Sequence, residues 1–412
     1  MLLTRRDLLG TVAIAAAAPV MARAQSTPAI KPAIKIGVLG DQSGVYRDLS
    51  GPVAAACVRQ AVQDMAPHLN GIDVQVVVGD HQNKPDVGAS LVRQWFDRDA
   101  VDMVTDCPNS AVALAVAAIC HEKDKTYINS AAMITELTGA QCAPTTVHFA
   151  MDTYALARST GTAMVADGGD TWFFVTADYD FGLALQRDTT GFITRAGGSV
   201  LGSVRAPFPT TDFSPYLLQA QSSGAKVIGL CNAGSDVVNS IKQAGEFGLT
   251  RAGVKVAGLL VFISDVHALG LQAAQGLNLT ESFYWDLNDR TRAFTSRVLK
   301  QTDGVRPGMG QAGCYGGTVH YLKAVAALGA ADARRSGRAV VARMKSMPTD
   351  DDAFGAGSIR EDGRALHPVY LFQVKAPDES RGPWDYYKLV ATTPIDQAWR
   401  PLNQGGCPMV HS

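Results

Sequence analysis

The sequence predicts an α/β protein in which two units of similar design follow one another along the chain. From Lys35 onward, apolar runs of strand length alternate with amphipathic runs of helix length, and the alternation restarts near Met151. Strands joined through helices run parallel, so this order indicates parallel sheets covered by helices on both faces. The chain has 412 residues, of which 47% are hydrophobic and 18% charged. These values are typical of a globular protein with two domains.

The first unit is predicted to contain four strands and three helices. The strands are apolar runs rich in β-branched residues, namely IKIGVLG, IDVQVVVGD, VDMVTDC and TYINSA. The segments between them are predicted helices, because their apolar residues recur at a spacing of three or four. These helices are GPVAAACVRQAVQDM, DVGASLVRQWFDR and SAVALAVAAICHEKD.

The second unit continues the same alternation. Its predicted strands, with helices between them, are TWFFVTADYD, GSVLGSVRAP, AKVIGLCNA and VKVAGLLVF. After about Glu281 the pattern changes to three helices, DRTRAFTSRVLKQTD, GGTVHYLKAVAALGAADA and GRAVVARMKSM. The last part alternates apolar with polar residues around a turn at Glu361–Gly363, which predicts a hairpin and then an edge strand, WDYYKLVAT.

Residues 1–24 are typical of an export signal. Arg5 and Arg6 precede an apolar, alanine-rich run, and Ala22-Arg23-Ala24 has the small-residue pattern of a cleavage site. The apolar run is too short to span a bilayer comfortably. The paired arginines favour a twin-arginine signal, with an ordinary export signal as the alternative. We therefore expect the mature protein to be periplasmic, with cleavage near Ala24.

Composition and motifs argue against several function classes. The formal net charge is −1, so no basic field favours nucleic acid. The loop after the first strand, LGDQSGVYRDLSGP, lacks the lysine of a phosphate loop, and its glycines lack the dinucleotide-binding spacing. No nucleophile elbow occurs in the sequence. The seven cysteines include no Cys-x-x-Cys pair, and their spacing does not reveal which of them form disulfides. We predict no enzyme, no catalytic residue, no metal site and no cofactor.

The same loop, Leu39–Pro52, is instead predicted to form the rim of a small-molecule cleft. It follows the first strand, and open parallel sheets bind ligands at the carboxyl ends of their strands. Gly44 and Gly51 allow the backbone to approach a ligand closely, and Tyr46 is the candidate ligand-facing side chain. Arg47 is left with two interpretations, a partner for a ligand carboxylate or a partner for a surface acid such as Asp48.

Other strand ends carry polar, small or aromatic residues in matching positions. Each alone is typical of a helix cap or of packing, but together they predict one cleft shared by both units. The segments are Thr105–Ala111 with Asn109 and Ser110, Asn129–Met133, Thr176–Gly182 with Tyr179 and Phe181, and Cys231–Asp236 with Asn232.

These segments, with TWFFVTADYDFG, KVIGLCNAGSDVVNSIKQAGEFGL and CYGGTVHYLKAV, resemble a known family over roughly Lys35 to Thr392. The family is the periplasmic solute-binding proteins of branched-chain amino acid-type ABC transporters, the Leu/Ile/Val-binding receptors. The resemblance implies two doubly wound parallel-sheet lobes joined by three hinge crossovers, the type I periplasmic binding protein fold. Lobe 1 would hold residues 33–149 and 282–346, and lobe 2 residues 150–281 and 347–412.

The resemblance also implies how the protein acts. A ligand binds between the lobes, which close over it by a hinge motion. The closed receptor then delivers the ligand to the permease and ATPase subunits of an ABC importer. A ligand-sensing receptor of the same fold that feeds a signalling partner is the alternative, and a secreted hydrolase is the alternative that the missing motifs disfavour.

Family positions carry over onto residues of this sequence. Asn109 and Ser110 match the stretch that binds the ligand's carboxylate, and Phe181 matches an aromatic residue that covers the ligand. Further positions are Ala131, Ala132 and Met133, which match the family's Ala-Ala-Thr, Asn232 in a contact loop of lobe 2, and Phe262, which lies where an acidic residue often meets an amino group.

Two departures from the family pattern argue against an α-amino acid. Met133 stands where the family has a threonine. Phe262 stands near the position where the family often has an acidic residue, and the first acidic residue after it is Asp265. An ammonium group buried without a partner costs several kcal/mol. Aromatic residues, among them Tyr46, Phe181 and Tyr284, are instead expected to surround an apolar body. We therefore predict a carboxylate-bearing ligand such as an aromatic acid, with an amino acid as the alternative.

Overall fold

A computed structural model describes residues 33–249 and 252–410, and the predicted export signal at residues 1–24 lies outside the described residues. The first part of the chain forms β1 (Ala33–Gly40), α1 (Gly51–Met65), β2 (Asp73–Asp80), α2 (Pro85–Asp97), β3 (Met103–Asp106), α3 (Ser110–Glu122), β4 (Thr126–Asn129) and β5 (Thr146–His148). The sequence predicts β1 to β4 and α1 to α3. It misses β5, because three residues are too few to show an alternation.

The five strands form one parallel sheet in the order β2-β1-β3-β4-β5. In the register, Ile36 of β1 lies between Val76 of β2 and Met103 of β3. Helix α1 packs into the core on one face of this sheet, while α2 and α3 pack on the other. Because the strand order reverses at β1 and β3, their following loops diverge and leave a crevice at the carboxyl ends.

The second part of the chain repeats this design. It forms α4 (Thr153–Ala166), β6 (Thr171–Ala177), α5 (Asp180–Arg195), β7 (Ser199–Ala206), α6 (Ser214–Ser222), β8 (Val227–Cys231), α7 (Ser235–Glu246), β9 (Lys255–Gly258), α8 (Ile263–Leu269), α9 (Leu271–Ala274) and β10 (Asn278–Glu281). Strands β6 to β9 form a parallel sheet in the order β7-β6-β8-β9, so the strand order again reverses beside the first strand of the unit.

The last part contains helices first and strands afterwards. Its elements are α10 (Asp289–Val298), α11 (Met309–Leu328), α12 (Ala330–Arg335), α13 (Gly337–Lys345), β11 (Thr349–Asp351), β12 (Gly355–Ile359), β13 (Ala365–Leu366), β14 (Val369–Val374), β15 (Tyr387–Thr393) and α14 (Ile395–Ala398). Helix α11 begins at Met309, earlier than the predicted Gly316, because its first turns are buried on all sides and show no amphipathic period. Among the described residues, no helix is both long and apolar enough to cross a bilayer.

The chain returns to the first sheet after β10 and to the second unit after β13. Helix α11 packs on α1, where Gln311 Nε2 donates to the carbonyl oxygens of Asp48 and Ser50, 3.1 Å each. Strand β14 lies between β10 and β15 in an antiparallel sheet, with β15 at the edge as predicted. The protein thus has two lobes connected at three crossovers, which follow β5, β10 and β13.

The predicted change of lobe after residue 346 is too early. Strands β11 to β13 form a small antiparallel sheet that packs on lobe 1. Lys323 Nζ donates to the carbonyl oxygen of Asp350 at 2.6 Å, and Arg297 pairs with Asp352 at 2.8 Å. The third crossover is therefore the short segment between β13 and β14. The alternation of apolar and polar residues in this region predicts strands, but it does not indicate which lobe those strands join.

A buried arginine connects two of the crossovers. Arg364 is fully buried next to β13, and its guanidinium donates to the carbonyl oxygens of His148 and Ala150 and to the Asp152 carboxylate at 2.9 Å. His148 Nε2 donates to the carbonyl oxygen of Ala132, so its Nδ1 accepts from Arg364 at 2.6 Å. We call Arg364, His148 and Asp152 the hinge cluster. It ties the first crossover to the strand that precedes the third.

We expect Arg364→Met to lower the free energy of unfolding by about 3–5 kcal/mol, because the Asp152 carboxylate would stay buried without its counter-charge. Denaturant titration measures this. The control is Arg187→Met, since Arg187 is 56% exposed where it pairs with Glu136, and we expect a loss of at most about 1 kcal/mol. Equal losses in both variants would show that the buried pair has no special role.

Candidate ligand-binding cleft

A cavity of about 10 Å³, room for about one water molecule, lies between the two lobes. It is at the carboxyl ends of β1, β3 and β4 on one side and of β6, β8 and β9 on the other, where both sheets reverse their strand order. None of its lining residues is acidic or basic. They are Tyr46, Leu49, Pro108, Ala131, Met133, Tyr179, Phe181, Ala233, Leu260 and Phe262.

The loop between β1 and α1 is organised around one carboxylate. Asp41 is fully buried, and its two oxygens accept from the backbone nitrogens of Gly44 at 2.6 Å and Tyr46 at 2.8 Å. Asn83 Nδ2 donates to the same carboxylate. These bonds fix the backbone that holds Tyr46 in the cavity wall. Sequence reasoning missed Asp41, although an aspartate two residues before a Ser-Gly pair is a turn signal.

The loop after β3 turns sharply through two residues with positive φ. Asp106 has a φ of 83° and Cys107 has a φ of 61°, and residues other than glycine seldom adopt such values. The turn puts Pro108 in the cavity wall and lets Asn109 cap α3, where its Oδ1 accepts from the nitrogens of Ala111 and Val112. Such strain is typical of functional loops, because the surrounding structure must hold it.

Aromatic contacts close the cavity from both lobes. The hydroxyl groups of Tyr46 in lobe 1 and Tyr179 in lobe 2 are hydrogen-bonded to each other. Phe208, in the loop after β7, stacks on Tyr179 with ring centroids 4.4 Å apart and packs at a tilt against Tyr46 with centroids 5.3 Å apart. Burial raises the pKa of both tyrosines, so both hydroxyls stay neutral and serve as hydrogen-bonding groups.

The backbones of the two lobes also meet beside the tyrosine pair. Ser235 N donates to the carbonyl oxygen of Val45 across the cleft at 3.3 Å. Gly234 has a φ of 61°, and a Cβ on it would lie 2.4 Å from that same oxygen. A larger residue at Gly234 is therefore incompatible with this approach of the lobes.

Six of the eleven predicted site residues line the cavity, namely Tyr46, Ala131, Met133, Tyr179, Phe181 and Phe262. Contact of each with a ligand stays a prediction. Four lining residues, Leu49, Pro108, Ala233 and Leu260, were not predicted, because apolar residues at a strand end carry no signal of their own. Ala233 and Pro108 nevertheless lie next to the predicted Asn232 and Asn109 in the chain.

Ser110 and Asn232 are buried next to the lining residues, and each has a free hydrogen-bonding atom. Ser110 Oγ, in the first turn of α3, has no hydrogen-bond partner. Asn232 Nδ2 donates to Ser240 Oγ at 2.8 Å, whereas its Oδ1 has no partner. Buried polar groups are normally paired, so we expect a ligand or an ordered water to form a hydrogen bond with each atom.

Ala132 and Tyr284 are not among the residues that line the cavity. Ala132 is fully buried, and its backbone nitrogen and oxygen are both bonded to the Asn129 side chain. Tyr284 packs in the core of lobe 2 against Phe372 and Tyr387. Its position in the sequence, beside two other aromatic residues, reflects core packing. Arg47 pairs with Asp48 at 2.8 Å on the exposed surface, the second of its two interpretations.

Acidic residues near the cavity are already engaged. The Asp265 carboxylate accepts from Phe262 N at 2.8 Å, and burial raises its pKa to about 7. The Asp106 carboxylate accepts from Ser50 Oγ at 2.5 Å, and burial likewise raises its pKa to about 7. Neither side chain lines the cavity. The cleft therefore presents no acidic group to a ligand's ammonium.

The sequence profile of the periplasmic binding protein family matches residues 33–382. The chain belongs to this family. The Leu/Ile/Val-binding protein homolog 6 of Brucella melitensis is a relative of this periplasmic binding protein. The two sequences are 24% identical over 244 residues. The match covers 58% of this chain and 62% of that relative's length.

Solved structures share the fold of this periplasmic binding protein. A periplasmic binding protein from Burkholderia mallei is 46% identical, with a TM-score of 0.88, and 92% of this chain and 99% of that chain are covered. A branched-chain amino acid ABC transporter ligand-binding protein from Burkholderia xenovorans is 38% identical, with a TM-score of 0.80 over 91% and 99% of the two chains. A solute-binding protein from R. palustris in complex with 4-hydroxybenzoate has a TM-score of 0.80 at 22% identity, over 89% and 98%.

We expect the Asp106 carboxyl to make the free energy of unfolding of this periplasmic binding protein fall as the pH rises from about 4 to about 7. In that window Asp106 ionises in the unfolded chain but keeps its proton in the folded protein, because burial raises its folded pKa. Asp106→Asn should reduce this slope by about 1 kcal/mol per pH unit. Asparagine tolerates the positive φ at this position.

Denaturant titrations at several pH values in this window measure the slope. The control is Asp332→Asn, since Asp332 lies exposed on α12 and its replacement should leave the slope unchanged. If both variants keep the slope of the unmodified protein, the Asp106 carboxyl is ionised in the folded state and this assignment is wrong.

Proposed function

We propose that this periplasmic binding protein captures a small apolar carboxylate, such as an aromatic acid, between its closing lobes. We also propose that it delivers this ligand to the permease and ATPase subunits of an ABC importer, after export and signal cleavage near Ala24. The observation that carries the proposal is the apolar lining of the cavity between the lobes, whose ten residues include no acidic or basic side chain. Such a lining fits an uncharged, flat ligand body.

The ligand's carboxylate has one suitable place at the edge of this lining. Ser110 Oγ is buried without a partner in the first turn of α3, a helix of 13 residues. The amino end of a helix carries a partial positive charge, which favours an anion. A carboxylate that reaches Ser110 would gain a hydroxyl donor and this field together. Asn109 then acts by capping the same helix.

An ammonium group has no comparable place. Met133 and Phe262 line the cavity at positions where the family resemblance implies a hydroxyl and often an acid. A thioether and a phenyl ring cannot pair with a cation's hydrogen-bond donors. Asp265, the nearest acid along the chain, accepts from Phe262 N. These features favour an aromatic acid over the amino acid alternative. The R. palustris solute-binding protein in complex with 4-hydroxybenzoate, which shares this fold, is compatible with this choice.

We further infer that the protein binds its ligand without transforming it. The hydroxyl-bearing side chains of the lining are Tyr46 and Tyr179, and burial raises the pKa of both, which makes them poor nucleophiles and poor bases at neutral pH. They bond to each other instead. The arrangement supports enclosure rather than catalysis.

Calorimetric titration of the mature protein with benzoate, with cinnamate and with leucine tests the ligand class. We expect an aromatic acid to bind at least about 100-fold more tightly than leucine, because leucine's ammonium would be buried without a partner. A thermal-shift screen of the same compounds should rank them in the same order. Tight binding of leucine with no response to the aromatic acids would contradict the proposal.

Replacement of the serine tests the carboxylate position. We expect Ser110→Ala to weaken binding of the aromatic carboxylate by about 1–3 kcal/mol, since the anion loses a buried donor. Binding of the matching neutral amide, benzamide, should change far less. The control is Tyr154→Ala, because Tyr154 packs on Phe192 outside the cavity lining. An equal loss for carboxylate and amide would mean that Ser110 does not meet the charged group.

A further inference from the structure

The C-terminal segment crosses from lobe 2 back to lobe 1. Strand β15 belongs to the sheet of lobe 2 and ends at Thr393, where it pairs with Val369. Residues 394–407, which we call the C-terminal strap, continue through α14 and a short 3₁₀ turn at Leu402–Gln404. The strap ends in a disulfide between Cys407 and Cys142, and Cys142 precedes β5 in lobe 1. The two cysteines are 265 residues apart in the chain.

The strap packs directly on the third crossover. Trp399 is 5% exposed, and its Nε1 donates to the carbonyl oxygen of His367, in the segment between β13 and β14. The guanidinium of Arg364 lies over the Trp399 ring at 4.7 Å. Arg364 belongs to the hinge cluster, which also holds the first crossover. The strap therefore touches the structure around two of the three crossovers.

The far end of the strap is held on lobe 1 by non-covalent contacts as well. Arg400 Nη2 donates to the carbonyl oxygen of Thr135 at 3.1 Å, and Arg360 Nη1 donates to the carbonyl oxygen of Arg400 at 2.8 Å. Gly139 fits closely against the strap, since a Cβ on it would lie 2.8 Å from the Gly405 carbonyl oxygen. The disulfide holds the far end of the strap beside lobe 1, which raises the effective concentration of these contacts after any local detachment.

We propose that the C-terminal strap is a fourth connection between the lobes, and that its disulfide limits how far the lobes open. Opening rotates the lobes about the crossovers and separates Thr135–Cys142 of lobe 1 from β15 of lobe 2. The strap spans those two segments, so wide opening must strip Trp399 and Arg400 from their partners. This inference goes beyond the proposed function and does not depend on which ligand binds.

The test compares the ligand-free protein with its disulfide intact and with the disulfide removed. One arm is the paired variant Cys142→Ser with Cys407→Ser. The other is the unmodified protein treated with a phosphine, in which the S–S bond is reduced to two thiols, the phosphine becomes a phosphine oxide and water supplies the oxygen and both hydrogens. The other five cysteines are already free, so this reagent has one target. Deletion of residues 408–412, which leaves the strap intact, is the control.

Small-angle scattering measures opening, and amide hydrogen exchange locates it. We expect a larger radius of gyration in both arms and exchange about tenfold faster at the second crossover, residues 282–288, which the strap contacts described above do not include. The control should match the untreated protein. If scattering is unchanged and faster exchange is confined to residues 135–142 and 394–407, the disulfide acts only locally and the inference is wrong. This outcome leaves the ligand-binding proposal unaffected.

Discussion

All strands of a parallel sheet present their carboxyl ends to one edge, and a reversal of strand order leaves a crevice at that edge. The protein has two such sheets, β2-β1-β3-β4-β5 and β7-β6-β8-β9, with the same reversal beside the first strand of each. The crossovers bring these two edges to face each other. The cavity, the tyrosine pair and the buried serine all follow from this one constraint, since each lies at the carboxyl ends of the strands.

The loops at this edge are held by groups that do not line the cavity. Asp41 fixes the backbone before Tyr46, and the strained turn at Asp106 and Cys107 determines where α3 begins. Both aspartates are fully buried. Burial of these carboxyl groups costs free energy, but it fixes the geometry of both loops before any ligand binds. Pre-organisation of this kind lowers the entropic cost of binding.

Much of the fold could be predicted from the sequence because its signals are local. The β-branched runs around Ile36 and Val175 and the amphipathic periods of the helices identify the lobes, and turn chemistry identifies the loops. Long-range relations leave no local trace. The pairing of Cys142 with Cys407, the contact between Tyr46 and Tyr179, and the lobe that residues 349–366 join all depend on tertiary packing.

The candidate site shows the same division. Polar or aromatic residues at strand ends, such as Ser110 and Phe181, stand out in the sequence, and the family resemblance adds Met133. Leu49 and Leu260 do not stand out, because a cavity wall and a core use the same residue types. Tyr284 shows the converse, since this aromatic residue beside a crossover stands out in the sequence but packs in the lobe 2 core.

The five free cysteines have a consequence for oxidative folding. Cys57, Cys107, Cys120, Cys231 and Cys314 are buried, and burial raises the pKa of each thiol. A thiol without thiolate character neither attacks a disulfide nor oxidises readily. Once the chain has packed, Cys142 and Cys407 remain as the pair that an oxidising environment can join. Burial of five thiols in the folded protein thus leaves one pair of the seven cysteines available for a disulfide.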